Sequence, residues 1–179
     1  MGDKPLKGIL IIVLTGLIFF AFVDESLADD LFSVSIGIPV AHDFYKTYNK
    51  SDGVSGSLFH VKLPYQVGFG YESYETKLKD QQDWKLVTTM IDLFYQFDFV
   101  VLNAALGIGI GNTEFDGGSG DWDKGSAVQY YFQVGWPFAG FMDLHASYHT
   151  IRSEMKAKNG DGVWDVSGNV AAIGISAGF

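Results

Sequence analysis

Apolar and polar residues alternate along most of this chain with a period of two. Counting back from Phe179, Ala177, Ile175, Ile173 and Ala171 share one face, and Gly178, Ser176, Gly174 and Ala172 share the other. Successive side chains of a strand point to opposite faces, so residues 163–179 read as a strand with one apolar face and one face of very small residues. Seven earlier runs follow the same rule. Residues 31–40 set Phe32, Val34, Ile36 and Ile38 against Ser33, Ser35 and Gly37. Residues 57–63 set Phe59 and Val61 against His60 and Lys62, and residues 65–76 set Val67, Phe69 and Tyr71 against Gly68, Gly70 and Glu72. In residues 84–96, Ile91, Leu93 and Tyr95 oppose Met90, Asp92 and Phe94. Residues 99–111 are the cleanest, with Leu102, Leu106, Ile108 and Ile110 opposing Asn103, Gly107, Gly109 and Gly111. The sixth run sets Val128, Tyr130, Phe132 and Val134 against Gln129, Tyr131 and Gln133. The seventh, residues 141–154, sets Leu144, Ala146 and Tyr148 against Asp143, His145, Ser147 and His149.

Long polar connections (residues 41–56, 77–83, 112–126 and 155–162) alternate with short turns at Pro64, at Phe97-Asp98 and at residues 136–140. Eight runs joined in this way predict an all-β, eight-stranded, antiparallel up-and-down barrel. A soluble barrel also alternates, but turns its polar face to water. Here the non-apolar face of the fifth and eighth runs is almost entirely Gly, Ala, Ser and Asn. That suits the crowded interior of an eight-strand barrel and not a solvated sheet, so the apolar face is read as facing lipid. Tyr65, Trp84, Tyr95, Trp136, Phe138 and Trp164 lie near run ends, where interfacial girdles are expected.

Residues 1–28 break the pattern. Lys4 and Lys7 precede an apolar stretch from Gly8 to Val23, and Ser26-Leu27-Ala28 offers small residues before Asp29. The stretch is shorter than the roughly 20 residues of a spanning helix and is followed by Asp24 and Glu25, so it is read as a cleavable signal peptide. The expected domain is then 29–179. Cleavage removes Lys4, Lys7, Asp3, Asp24 and Glu25 and leaves an acidic chain, a balance that argues against nucleic acid as a partner. The chain has no cysteine, which excludes disulfides, thiolate metal sites and a lipid-anchored cysteine.

The polar residues assigned to the interior are Lys62, Glu72, Asp92, Asn103, Gln129, Gln133, Asp143, His145 and His149. Buried charges need partners, so these are expected to form a structural plug, with Lys62 paired to Glu72 or Asp92. The acidic loop residues Glu114, Asp116, Asp121 and Asp123 fit no EF-hand spacing. No metal site and no cofactor is read from the sequence.

The last strand, closed by Phe179, resembles the assembly signal of Gram-negative outer-membrane barrels, which implies insertion by the barrel-assembly machinery. The whole mature chain is similar in architecture to the small barrels of the OmpX and Ail type. That resemblance implies a cell outer-membrane location and a narrow, non-porin barrel. It also implies lipid and lipopolysaccharide as surroundings, with loops serving surface interaction or envelope integrity. His145-Ala146-Ser147 resembles the His-x-Ser pair of the outer-membrane lipid A 3-O-deacylases. In that family an acidic residue follows, for which Asp161 or Asp165 stands nearest here. The family Ser is followed by Asn-Ala, whereas Tyr148-His149 follows Ser147 here, and parity turns His145 and Ser147 inward. The non-enzyme is therefore the preferred reading and a lipid A ester hydrolase the alternative.

Overall fold

The computed structural model describes residues 32–46, 49–79, 84–117, 122–138, 141–158, 160 and 162–179. The expected signal peptide, residues 1–28, lies outside the described residues. The strands are β1 (Ser33–Phe44), β2 (Ser51–Lys62), β3 (Val67–Leu78), β4 (Lys85–Asp98), β5 (Asn103–Asp116), β6 (Gly125–Pro137), β7 (Met142–Lys156), β8 (Val163–Asp165) and β9 (Gly168–Gly178). From β1 to β7 each strand pairs antiparallel with the next, β7 pairs with β9, and β9 pairs with β1. The wall is thus a closed eight-stranded meander of β1 to β7 and β9, with β8 a short strand added to the end of β7. At the seam the backbone of Phe32 donates to the Phe179 carbonyl (3.1 Å) and Phe179 donates back (2.9 Å). Closure matters because an open edge in lipid would leave backbone groups without partners.

Three expected connections are shorter than the alternation suggested. β1 runs on to Phe44 and β2 begins at Ser51, inside the stretch read as a loop; β5 continues to Asp116 and β7 to Lys156. The hairpin arms keep their hydrogen-bonded ladder through stretches whose sequence is polar, with His42, Thr113 and Met155 buried on the inward face, so pairing outlasts the hydrophobic alternation. The final run is interrupted as well, into β8 and β9.

The lipid-facing parity holds around the wall. Ile91, Ile108 and Ile110 stand 64%, 65% and 70% exposed in mid-strand. A continuous apolar belt of this kind is incompatible with a water-facing surface and fits hydrocarbon. Tyr65, Trp136 and Phe138 are exposed at the end where the short turns lie, as a girdle requires. Trp84 and Trp164 are a correction. With Phe115 and Trp122 they pack inside the loop end against Leu78, Leu86, Met155 and Val166. Trp84 shares the inward parity of Leu86, and the Trp164 indole N–H donates to Asn49 Oδ1 at 3.0 Å.

One irregularity changes which residues point inward. β1 pairs Pro39 with Ala172 and Ala41 with Ala171, so Val40 is an extra residue in a β-bulge. Proline cannot donate to the ladder, which makes its neighbourhood a natural place for a bulge. Before it Ser35, Gly37 and Pro39 face the interior; after it His42 does.

Candidate functional site: the polar centre of the barrel

The interior midpoint is assembled from inward positions that the ladders place side by side. His60 on β2 pairs with Gly70 on β3, Gly70 with Asp92 on β4, Asp92 with Gly109 on β5, and Gly109 with Gln129 on β6. Bulky and minimal side chains therefore alternate around the wall. The glycines are required by close approach: a Cβ on Gly70 would collide with the His60 ring, and one on Gly109 with the Asp92 carboxylate. Glu72, two residues along β3, and His149 on β7 complete the group.

Glu72 Oε1 lies 3.3 Å from His60 Nε2 and 3.3 Å from His149 Nδ1. Asp92 Oδ2 is 4.0 Å from the same His60 nitrogen. The surroundings orient each of these groups. Gln129 Nε2 donates to Asp92 Oδ1 at 2.6 Å, and His149 Nε2 is hydrogen-bonded to Ser147 Oγ at 2.8 Å. The His149 ring stacks on Tyr131 at 4.7 Å, and the His60 ring meets Phe94 edge-on at 5.7 Å. All four residues are essentially inaccessible to solvent. Yet both nitrogens of His60, both oxygens of Glu72, Asp92 Oδ2 and His149 Nδ1 have no hydrogen-bond partner. Such a concentration of unsatisfied buried atoms is costly and unusual. His60, Glu72 and Asp92 each offer one donor atom, all within 4.8 Å of one another, a spacing that could hold a metal ion.

The other expected interior residues lie towards the end that carries Phe32 and Phe179. Lys62, Asn103 and Gln133 are buried and Asp143 is half-buried. The expected pairing of Lys62 with Glu72 or Asp92 is corrected: Lys62 Nζ meets Asp98 Oδ2 at 3.2 Å, and Gln96 donates to the other Asp98 oxygen at 2.5 Å. Lys62 stands opposite Gly68, and Glu72 lies four residues further along β3. Asn103 donates to Asp143 at 2.7 Å, and Ser176 reaches the same oxygen at 3.4 Å.

His145 and Ser147 face the interior, 5% and 8% exposed, and they are not partnered with each other. His145 Nε2 bonds Ser35 Oγ at 2.7 Å, while Ser147 bonds His149. The β7 ladders run without a register break from Met142 to Ile151, so no bulge turns the pair towards lipid. Asp161 lies outside the described residues. Asp165 pairs with Glu154, seven residues beyond Ser147 along β7, about 23 Å away at the strand rise.

Two interior histidines were not among the expected residues. His60 was on the polar face of its run and readable by parity; His42, which bonds Thr76 Oγ1 at 2.7 Å, falls in the stretch read as a loop, just past the Val40 bulge.

No protein-family model matches the chain, and no curated protein matches it. Among solved structures, it is similar to Neisserial surface protein A at a TM-score of 0.60 and 16% identity, over 83% of this chain and 97% of that one. It is also similar to the N-terminal β-barrel domain of Pseudomonas aeruginosa OprF at a TM-score of 0.52 and 15% identity, over 82% of this chain and 97% of that one. At such identities the likeness is one of fold. With its closed meander and its belt of exposed isoleucines, this chain has the fold of a small eight-stranded barrel of the outer-membrane type.

Proposed function

We propose that this protein is a non-porin barrel of the Gram-negative outer membrane, closed to solute flow by its own side chains. Its loop end then serves surface interaction or envelope integrity. The observation that carries this reading is the filled interior. Tyr74, Met90, Glu72 and Gln129, on three strands, are at most 2% exposed. Towards the terminal end a void of about 10 Å³ lies among Ser35, His60 and Lys62. That is room for about one water and not for a conducting path. An eight-strand wall leaves only enough space for side chains to fill.

At the loop end a cleft of about 660 Å³ is lined by Tyr45, Lys124, Arg152, Lys156 and Asp165 among others. Its mixed charge suits contact with lipopolysaccharide head groups or with a surface ligand. On this reading residues 1–28 direct export, and Phe179 is read by the assembly machinery. The test of closure is electrical. Purified protein in planar bilayers is expected to give no steady conductance, and large stable channels would overturn the proposal.

A further inference from the structure

We propose that His60, Glu72 and Asp92, with His149 beside them, form a divalent transition-metal site in the middle of the barrel. This goes beyond a closed lumen, because it assigns the charged centre a ligand.

Three observations converge on the site. The first is spacing. An ion bound tetrahedrally at 2.0 to 2.1 Å holds its donor atoms about 3.4 Å apart. The two imidazole nitrogens each lie 3.3 Å from Glu72 Oε1, and Asp92 Oδ2 lies 4.0 Å from His60 Nε2. His60, Glu72 and Asp92 present donors within 4.8 Å of one another, and His149, 3.3 Å from Glu72 Oε1, stands beside this set. The second is the set of unpartnered atoms. The donors facing the common centre are buried and meet one another at ion-pair distance without well-aligned hydrogen bonds. When His149 Nε2–H donates to Ser147, the neutral ring turns the lone pair of Nδ1 towards Glu72. In that tautomer a metal ion between the lone pair and the carboxylate satisfies both; in the other, Nδ1–H faces Glu72 directly. The third is support from outside the ligand set. Ser147 holds His149 and Gln129 holds Asp92 by their far atoms, the arrangement that fixes ligand orientation around metals. An imidazole with two carboxylates, and a second imidazole beside them, suits zinc and its first-row neighbours; calcium and magnesium take oxygen donors.

The chain is well suited to a direct test. All four of its histidines, His42, His60, His145 and His149, are buried in the interior, so no surface histidine competes. The protein would be purified without an affinity tag and refolded in detergent with Co(II) or Zn(II) present, since the centre is enclosed. Folding is verified by heat-modifiable migration. One equivalent of Co(II) is expected, with the visible absorption of a tetrahedral site, and Zn(II) should displace it. Glu72→Gln and Asp92→Asn should each weaken binding by at least tenfold, whereas His42→Gln should leave it unchanged. Two similar-sized variants are used so that a folding failure in one leaves the other to decide. A folded wild-type protein that binds no Co(II) or Zn(II) would show a proton-shared cluster only and overturn the site. Equal affinity in wild type, Glu72→Gln and Asp92→Asn would overturn it as well.

Discussion

The two halves of the barrel interior are built on different principles. Towards the loops it resembles the core of a water-soluble protein. Tyr74, Met90, Ala127, Ile151 and Val170 form one apolar layer, and Leu78, Leu86, Met155 and Val166 form the next. From the midpoint to the terminal end, it is a series of hydrogen-bonded and charged groups: the His60, Glu72, Asp92 and His149 cluster, then Ser35 with His145, Lys62 with Asp98, and Asn103 with Asp143. The loop half is filled by apolar side chains together with hydrogen-bonded pairs, His42 with Thr76 and Thr88 with Thr113, and not by carboxylates. The charged centre is therefore not needed for filling space. Desolvating four ionisable groups costs several kcal/mol per ion before any pairing is recovered. A sequence that keeps such a cluster beside a working apolar solution is under a demand other than stability, and a bound ion is a demand that the donor geometry meets.

The largest effect should come from breaking the centre on one side. Glu72→Ala leaves His60 and His149 facing an empty position, and a loss of about 3–5 kcal/mol is expected. Urea unfolding in lipid vesicles, with chelator present, would measure it. The sharper form replaces His60, Glu72, Asp92 and His149 together with apolar residues of similar volume. Stability should then return to the wild-type value or exceed it, because the charge burden has gone. A quadruple variant no more stable than Glu72→Ala would mean that the centre is an ordinary structural element, and the contrast between the halves would collapse.

The exterior provides the next contrast. Ile108 sits in mid-strand on the outer face, 65% exposed, while its neighbour Gly109 faces the cluster. Ile108→Arg should cost about 2–4 kcal/mol if that position lies at the bilayer midplane. In water the same change would be close to neutral. Refolding into vesicles of defined thickness distinguishes the two, and a neutral result would remove Ile108 from the lipid face.

How much of this was legible follows from what period two can carry. Alternation gives faces, so strand number, closure and the inward side of Glu72, Asp92, Asn103 and His149 could be read without coordinates. It does not give level along the barrel. That is why Lys62 was matched to Glu72 or Asp92 and not to Asp98, a residue that had looked like part of a turn. One inserted residue reverses the faces, and Val40 did so for His42. The centre was hidden for a different reason. Its four residues come from β2, β3, β4 and β7, with no short spacing between them, and only the registers bring them together. Scans for metal motifs look for ligands close in sequence, which a barrel does not need.

The smallest effect is expected at Ser147, and it decides between two readings of one residue. As a nucleophile, Ser147 would need an imidazole base at hydrogen-bond distance and an ester within reach. It has an imidazole, but that of His149, whose other nitrogen faces Glu72 inside a closed centre. The esters of lipid A lie outside the wall, and the unbroken β7 registers keep the Ser147 side chain inside it. Neither the wild-type protein nor Ser147→Ala should release fatty acid from lipid A, and stability should fall by only about 1 kcal/mol for the lost hydrogen bond. As the group that orients His149, Ser147 should instead show itself in metal affinity, about tenfold weaker for Co(II) in the alanine variant. Ester hydrolysis abolished by both His145→Ala and Ser147→Ala would reverse the assignment. It would require β7 to turn outward in the membrane, at a place where the ladder shows no break.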